Sequence, residues 1–161
     1  MRWTALVLLA GAMFFAYIFM DILSPLQSLL QTSRGWTPEA FGHYAGSETF
    51  LNVFVFFLIF AGIILDKMGV RFTAVLSGTV MFIGGAINYY AVTDAFAGSA
   101  LDTFFTNHLN LPQAWWNVTP WFEGMPASAK LAACGFMVFG CGAEMAGITV
   151  SRGIVKWFTG H

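Results

Sequence analysis

Apolar residues in this chain come in long unbroken runs, not in alternation. A helix that crosses a bilayer needs about 20 consecutive, mostly apolar residues. Four stretches meet that length, at about residues 3–23, 44–65, 72–91 and 130–155. The apolar part of the second covers only about 50–65, which would barely span, so its start is set earlier, near Tyr44. A lipid-facing barrel strand would alternate over about ten residues, and these runs do not. The pattern predicts an all-α integral membrane chain with four transmembrane helices and a long outer loop at about 92–128.

Composition points the same way. Only 9% of residues are charged and 58% are hydrophobic, with 18 Phe and six Trp. A soluble domain carries about 25% charged residues. The first expected partner is therefore the lipid bilayer. A net charge of -1 with no basic patch gives nucleic acid nothing to bind. The first run is too long, and its flanks too unlike a cleavage site, for a removable signal peptide.

Lys and Arg set the orientation. With the N-terminus in the cytoplasm, the inner segments hold Arg2, Lys67, Arg71, Arg152 and Lys156, and the outer ones hold Arg34 and Lys130. Five against two predicts both termini on the cytoplasmic side of a cell membrane, the inner one in a bacterium.

The connecting segments are partly readable. In "TPEAFG", Thr37 has the look of a helix cap, with Pro38 in the first turn and Glu39 early. "LDTFFTNHL" in the second outer segment predicts a short amphipathic helix, and Trp115, Trp116 and Trp121 are expected at headgroup level. A substrate-capturing lid is the sharper alternative for that segment. Cys134 and Cys141 lie seven apart on one helix, share a face and cannot pair with each other. No C-x-x-C occurs in an outer loop, and His108 has no partner at ligand spacing. No metal site, no cofactor and no enzymatic nucleophile–base pair is expected.

Between the second and third runs stands "GIILDKMGVRF". Asp66, Lys67 and Arg71 crowd a turn at the membrane interface, and Gly69 lets the chain reverse. An acid there weakens a positive-inside loop, so a specific role is expected of it.

This stretch resembles the signature of the major facilitator superfamily between its second and third helices, G-x-L-[small]-D-[RK]-x-G-[RK]-[RK]. Gly62, Asp66, Lys67, Gly69 and Arg71 match it; Ile64, Leu65 and Val70 depart from it. "YIFMDILSPL" in the first run and "GCGAEMAG" followed by "VKWF" in the fourth are similar to other landmarks of that superfamily. The last pattern also resembles the branch with lysosomal dipeptide uniporters and their bacterial relatives. Phe136 stands where many members carry an Arg, four residues before Gly140.

The resemblance implies a secondary transporter of a small polar solute, with small peptides as the narrower expectation. It implies twelve helices in two six-helix halves that rock around a midplane site. Gly62, Asp66, Lys67, Gly69 and Arg71 would latch the cytoplasmic side. This chain reaches only the fourth helix, at "FTGH". The expectation is a partial N-terminal bundle, inactive without the remaining helices.

Glu144 is the acid that draws attention. Lys130 and Lys156 bracket the fourth run, which puts its middle near residue 143. A charge at that depth costs about 2.5–3.5 kcal/mol on insertion scales. Met137, Gly140, Gly147 and Ser151 share its helix face, a small and partly polar surface. Glu144 is either a protonated acid bonded between helices or a substrate or proton site. Asp21, with Tyr17 on its face, is either interfacial or cavity-lining. Asn52, one turn past Glu48, is a further cavity candidate, although Asn52 and Asn88 both fit helix-joining roles. The rival to a transporter is a self-contained four-helix structural or subunit protein that oligomerises through its small-residue faces.

Overall fold

The structure is a computed structural model, and it describes residues 1–48, 56–107 and 126–159. All regular structure among the described residues is helical. In chain order these are α1 (Arg2–Asp21), a 3-10 turn (Ser24–Leu26), α2 (Gln27–Arg34), α3 (Pro38–Ser47), α4 (Phe57–Ala91), α5 (Ala100–Asn107) and α6 (Ala127–Phe158). Three helical stretches among the described residues are long and apolar enough to cross a membrane: Arg2–Arg34, Phe57–Ala91 and Ala127–Phe158. They make this a membrane-associated protein.

Three such stretches stand where four runs were expected, for two reasons. Residues 49–55 of the second run lie outside the described residues. The rest of that run joins the third run in α4. Gly69 interrupts α4 with φ +82° and ψ 170°, a backbone state that only glycine adopts without strain. The reversal read at "DKMGVR" is therefore a break at one residue, flanked by helix on both sides.

Local signals account for the helix ends. The 20 residues of α1 rise about 30 Å, the thickness of a bilayer core. Pro25 opens the 3-10 turn after it, and Gly35 closes α2 in the left-handed conformation. Thr37 caps α3, its hydroxyl accepting the Ala40 amide at 3.1 Å, with Pro38 at the first turn. The predicted short helix is α5. Ser99 accepts the Asp102 amide at 3.2 Å, and the Asp102 carboxylate accepts the Gly98 amide at 2.9 Å.

Helix α6 sits at the centre. Most of its first half is buried, whereas α1 and α4 leave large apolar side chains such as Val7, Leu8, Phe15, Val75 and Phe82 exposed. An apolar exterior of this kind is what lipid solvates. Contacts fix the chain directions around α6. Trp3 meets Phe158 and Phe19 meets Phe139, so α1 runs antiparallel to it. Trp36 bonds Ser128, Tyr44 stacks on Phe136 and Asp66 pairs with Arg152, so residues 36–48 and then 56–66 advance alongside it. Residues 70–91 run back again, with Val70 near Gly153, Met81 near Gly142 and Asn88 near Gly135.

Small residues make the tightest of these contacts. A Cβ at Gly84 would strike the Gly135 carbonyl and the Phe139 backbone, and one at Gly142 would lie 2.8 Å from the Met81 nitrogen. The α4–α6 interface is thus backbone against backbone, as in other small-residue helix pairs. Asn88 joins helices as its small-residue face predicts: its amide donates to the Tyr44 hydroxyl at 2.7 Å, in a buried position. Cys134 and Cys141 are free thiols, the second buried.

Candidate functional site

Glu144 lies halfway along α6 and is partly exposed. It faces a groove of about 560 Å³ between α6 and the first part of α4. Gly147, Ser151 and Arg152 continue the α6 wall, and Gly62, Leu65 and Asp66 form much of the other. The predicted α6 face therefore divides. Gly147 and Ser151 share the groove with Glu144, Met137 is buried in the core, and Gly140 packs under Glu48.

Glu48 is the acid that sequence reasoning passed over. It follows the last residue of α3, and a Cβ on Gly140 would collide with its carbonyl. Glycine at 140 is what lets this segment approach α6 so closely. The Glu48 carboxylate is in electrostatic reach of Glu144 and, more weakly, of Asp21. Glu48 and Glu144 thus bring like charges from two parts of the chain towards each other. The available signal was the spacing: Glu48 stands four residues before Asn52, the interval of one helical turn.

The other predicted residues distribute as follows. Asp21 ends α1 and is exposed; Tyr17, one turn earlier, is also exposed, at 60%. Asn52 lies outside the described residues. Gly62 and Asp66 line the Glu144 groove, while Lys67 and Arg71 are exposed beside the Gly69 break. The structure brings Gly62 and Asp66 of the turn motif and Glu144 into one groove, which their separation in sequence did not show.

Asp66 has a partner in Arg152, with Oδ1 and Nη2 3.1 Å apart. Both side chains are about two-thirds exposed, so the pair contributes only about 0.2–1 kcal/mol and weakens with salt. In the sequence Arg152 shows only as a positive charge at an interface; the one clue to its pairing is the acid in a basic turn.

At the opposite end of α6 the contacts are closed. Lys130 is buried, and its ammonium donates to the Phe105 carbonyl at 2.8 Å, among the last carbonyls of α5. Trp36 is buried and donates to the Ser128 hydroxyl at 2.9 Å. Arg34 and Asp94 pair at 2.7 Å on the surface nearby. The Trp cluster at 115, 116 and 121 and His108 lie outside the described residues. No cluster of three or more metal-ligating side chains occurs among the described residues. No family model, curated protein or solved structure matches this chain.

Proposed function

We propose that the chain is part of a secondary transporter that moves a small polar solute across a cell membrane by alternating access. In this reading residues 3–23, 44–65, 72–91 and 130–155 make four crossings, with both termini cytoplasmic. They form the N-terminal portion of a carrier resembling the major facilitator superfamily. The alternating chain directions around α6 support the four crossings.

One observation carries the proposal: Glu144, at mid-helix, opens into the same groove as Asp66 and Arg152. A midplane acid costs too much in hydrocarbon to stand without a use. Here it faces a partly polar cavity whose far end holds a weak ion pair. In the proposed cycle, Glu144 with Glu48 and Asp21 binds a substrate amine or a coupling proton. Asp66 and Arg152, with Lys67 and Arg71 beside them, hold the cytoplasmic side closed and release it. Small peptides are the favoured solutes, since an amine suits the three acids. The opposing wall of the site would come from further helices of the carrier.

The enclosure of α6 by three other segments also fits the rival, a self-contained membrane protein that oligomerises. Uptake separates the two. Cells expressing the intact gene should accumulate labelled dipeptides or amino acids in a gradient-dependent way, abolished by an ionophore. A panel of such solutes with no uptake above empty-vector cells would remove the transporter reading and leave the rival.

A further inference from the structure

Helices α1 and α4 both pack on α6, but they part from each other over one stretch. Near the Gly69 break they converge: a Cβ at Gly153 would meet Leu9 at 3.0 Å and Val70 at 3.6 Å. Further from the break a cleft of about 600 Å³ opens between them. Ala12, Phe15 and Phe19 stand on its α1 side, and Phe82, Ala86 and Tyr89 on its α4 side. Its floor is Phe139 of α6, which is buried and meets the Phe19 ring with centroids 4.4 Å apart. No charged residue is among the described residues that line it.

The cleft has the depth of one leaflet. It begins at Ala12, midway along α1, and reaches Phe19, two residues from the end of that helix. On α4 it runs from Met81 to Tyr89, two residues short of Ala91. Eight helical residues rise about 12 Å, against about 15 Å for half of a hydrocarbon core. A helix from a second copy or another protein would cross the whole core of about 30 Å, and the closure at Leu9, Gly153 and Val70 leaves it no groove to continue in. Width gives the same answer. Spread over about 12 Å, the volume of about 600 Å³ leaves a cross-section of about 50 Å², well under that of a helix about 10–12 Å across. A single hydrocarbon chain is thinner, and in a bilayer it ends near the midplane, as the cleft does. At the mouth Tyr89 is 73% exposed, an apolar ring with a polar tip of the kind that sits at headgroup level.

We propose that this cleft is a resident-lipid site, which takes one acyl chain of a glycerophospholipid from the leaflet at the Lys130 end of α6, with the headgroup beside Tyr89. Exclusion of water does not hold the chain there, because lipid tails surround the whole apolar exterior. Contact does: two walls and an aromatic floor in fixed positions stand where a flat helix face would offer contact on one side only. Ala12 and Ala86 are exposed and keep the slot wide, so a large side chain at either would occupy it. The inference needs the chain to lie in a membrane, and nothing in it depends on transport.

Native mass spectrometry of the intact gene product, extracted from its membrane in mild detergent, tests it. Wild type should carry one glycerophospholipid per chain after further dilution into detergent. Filling the slot with Ala12→Phe and Ala86→Phe should lower that occupancy about tenfold, as overpacking displaces the chain. Val75→Phe adds an aromatic ring to an exposed apolar position outside the cleft and should leave occupancy unchanged. A second measurement spares the fold: Phe82, 77% exposed at the cleft, is replaced by the photoreactive p-benzoylphenylalanine in an otherwise wild-type chain. Irradiation in the native membrane should join it to phospholipid. Absence of a retained lipid from wild type, equal occupancy in wild type and the filled variant, or photoproducts that join two chains in place of chain and lipid would each overturn the proposal. No solute flux enters either readout, so failure here and failure of the transporter reading are separate results.

Discussion

The two halves of α6 differ more than their sequences do. Both are apolar, glycine-bearing and free of strong turn signals. Yet the half before Glu144 is buried on almost every side, among Phe136, Phe139, Tyr44 and Trp36. The half after it opens onto a groove, with Ser151, Arg152, Ile154, Val155 and Trp157 exposed. The closed half is held by backbone contact and buried hydrogen bonds, and the open half by side-chain packing at Gly153, the Trp3–Phe158 ring contact and one weak ion pair. Glu144 stands at the boundary. The proposed carrier would use such a division, because a bistable element moves where contacts are few and pivots where they are dense.

The sharpest way to break the contrast is to enlarge glycines on each side of it. Gly84→Leu, against the closed half, should force the helices apart and cost about 3 kcal/mol, the upper end of the overpacking range. Gly147→Ala, in the open half, meets no close neighbour and should stabilise by up to about 1 kcal/mol through helix propensity. Denaturant unfolding in detergent reads both. Equal losses at the two positions would erase the division.

Next in size is the buried hydrogen bond. Tyr44→Phe leaves the Asn88 amide without the partner it has at 2.7 Å and should cost about 1–3 kcal/mol by the same measurement. The smallest effect belongs to the open end. Arg152→Ala should change stability by no more than about 1 kcal/mol, and the difference from wild type should shrink as salt rises. A loss as large as that of Tyr44→Phe would mean that the pair holds the fold together instead of gating it.

Much of the scaffold was legible from single residues. Thr37 and Pro38 announced α3, Gly69 announced the break, and the Ser99–Asp102 spacing sits at the start of the short helix predicted near residue 101. These signals are local: a side chain bonds its own backbone, or a φ value admits only glycine. What could not be read was how helices face one another. A helix that is apolar all round offers no polar stripe to fix its rotation. Hence Glu48 under Gly140, Asp66 against Arg152 and Lys130 beneath α5 were all invisible as pairs, although each residue had been noticed or counted. The candidate site was half legible for the same reason. The cost of a midplane acid singled out Glu144, while Tyr17 and Asp21, chosen for their place on α1, turned out exposed on its surface.

In the proposed carrier, Glu144 serves a transported solute or its coupling proton. The direct measurement is uptake by the intact gene product, wild type beside Glu144→Gln, over the range in which carboxylates titrate. The Glu144→Gln variant should show a KM raised about tenfold or more, the loss of one charged hydrogen bond, together with a flattened pH dependence. Unchanged KM and unchanged pH dependence would contradict it and reduce Glu144 to an acid that only holds helices together.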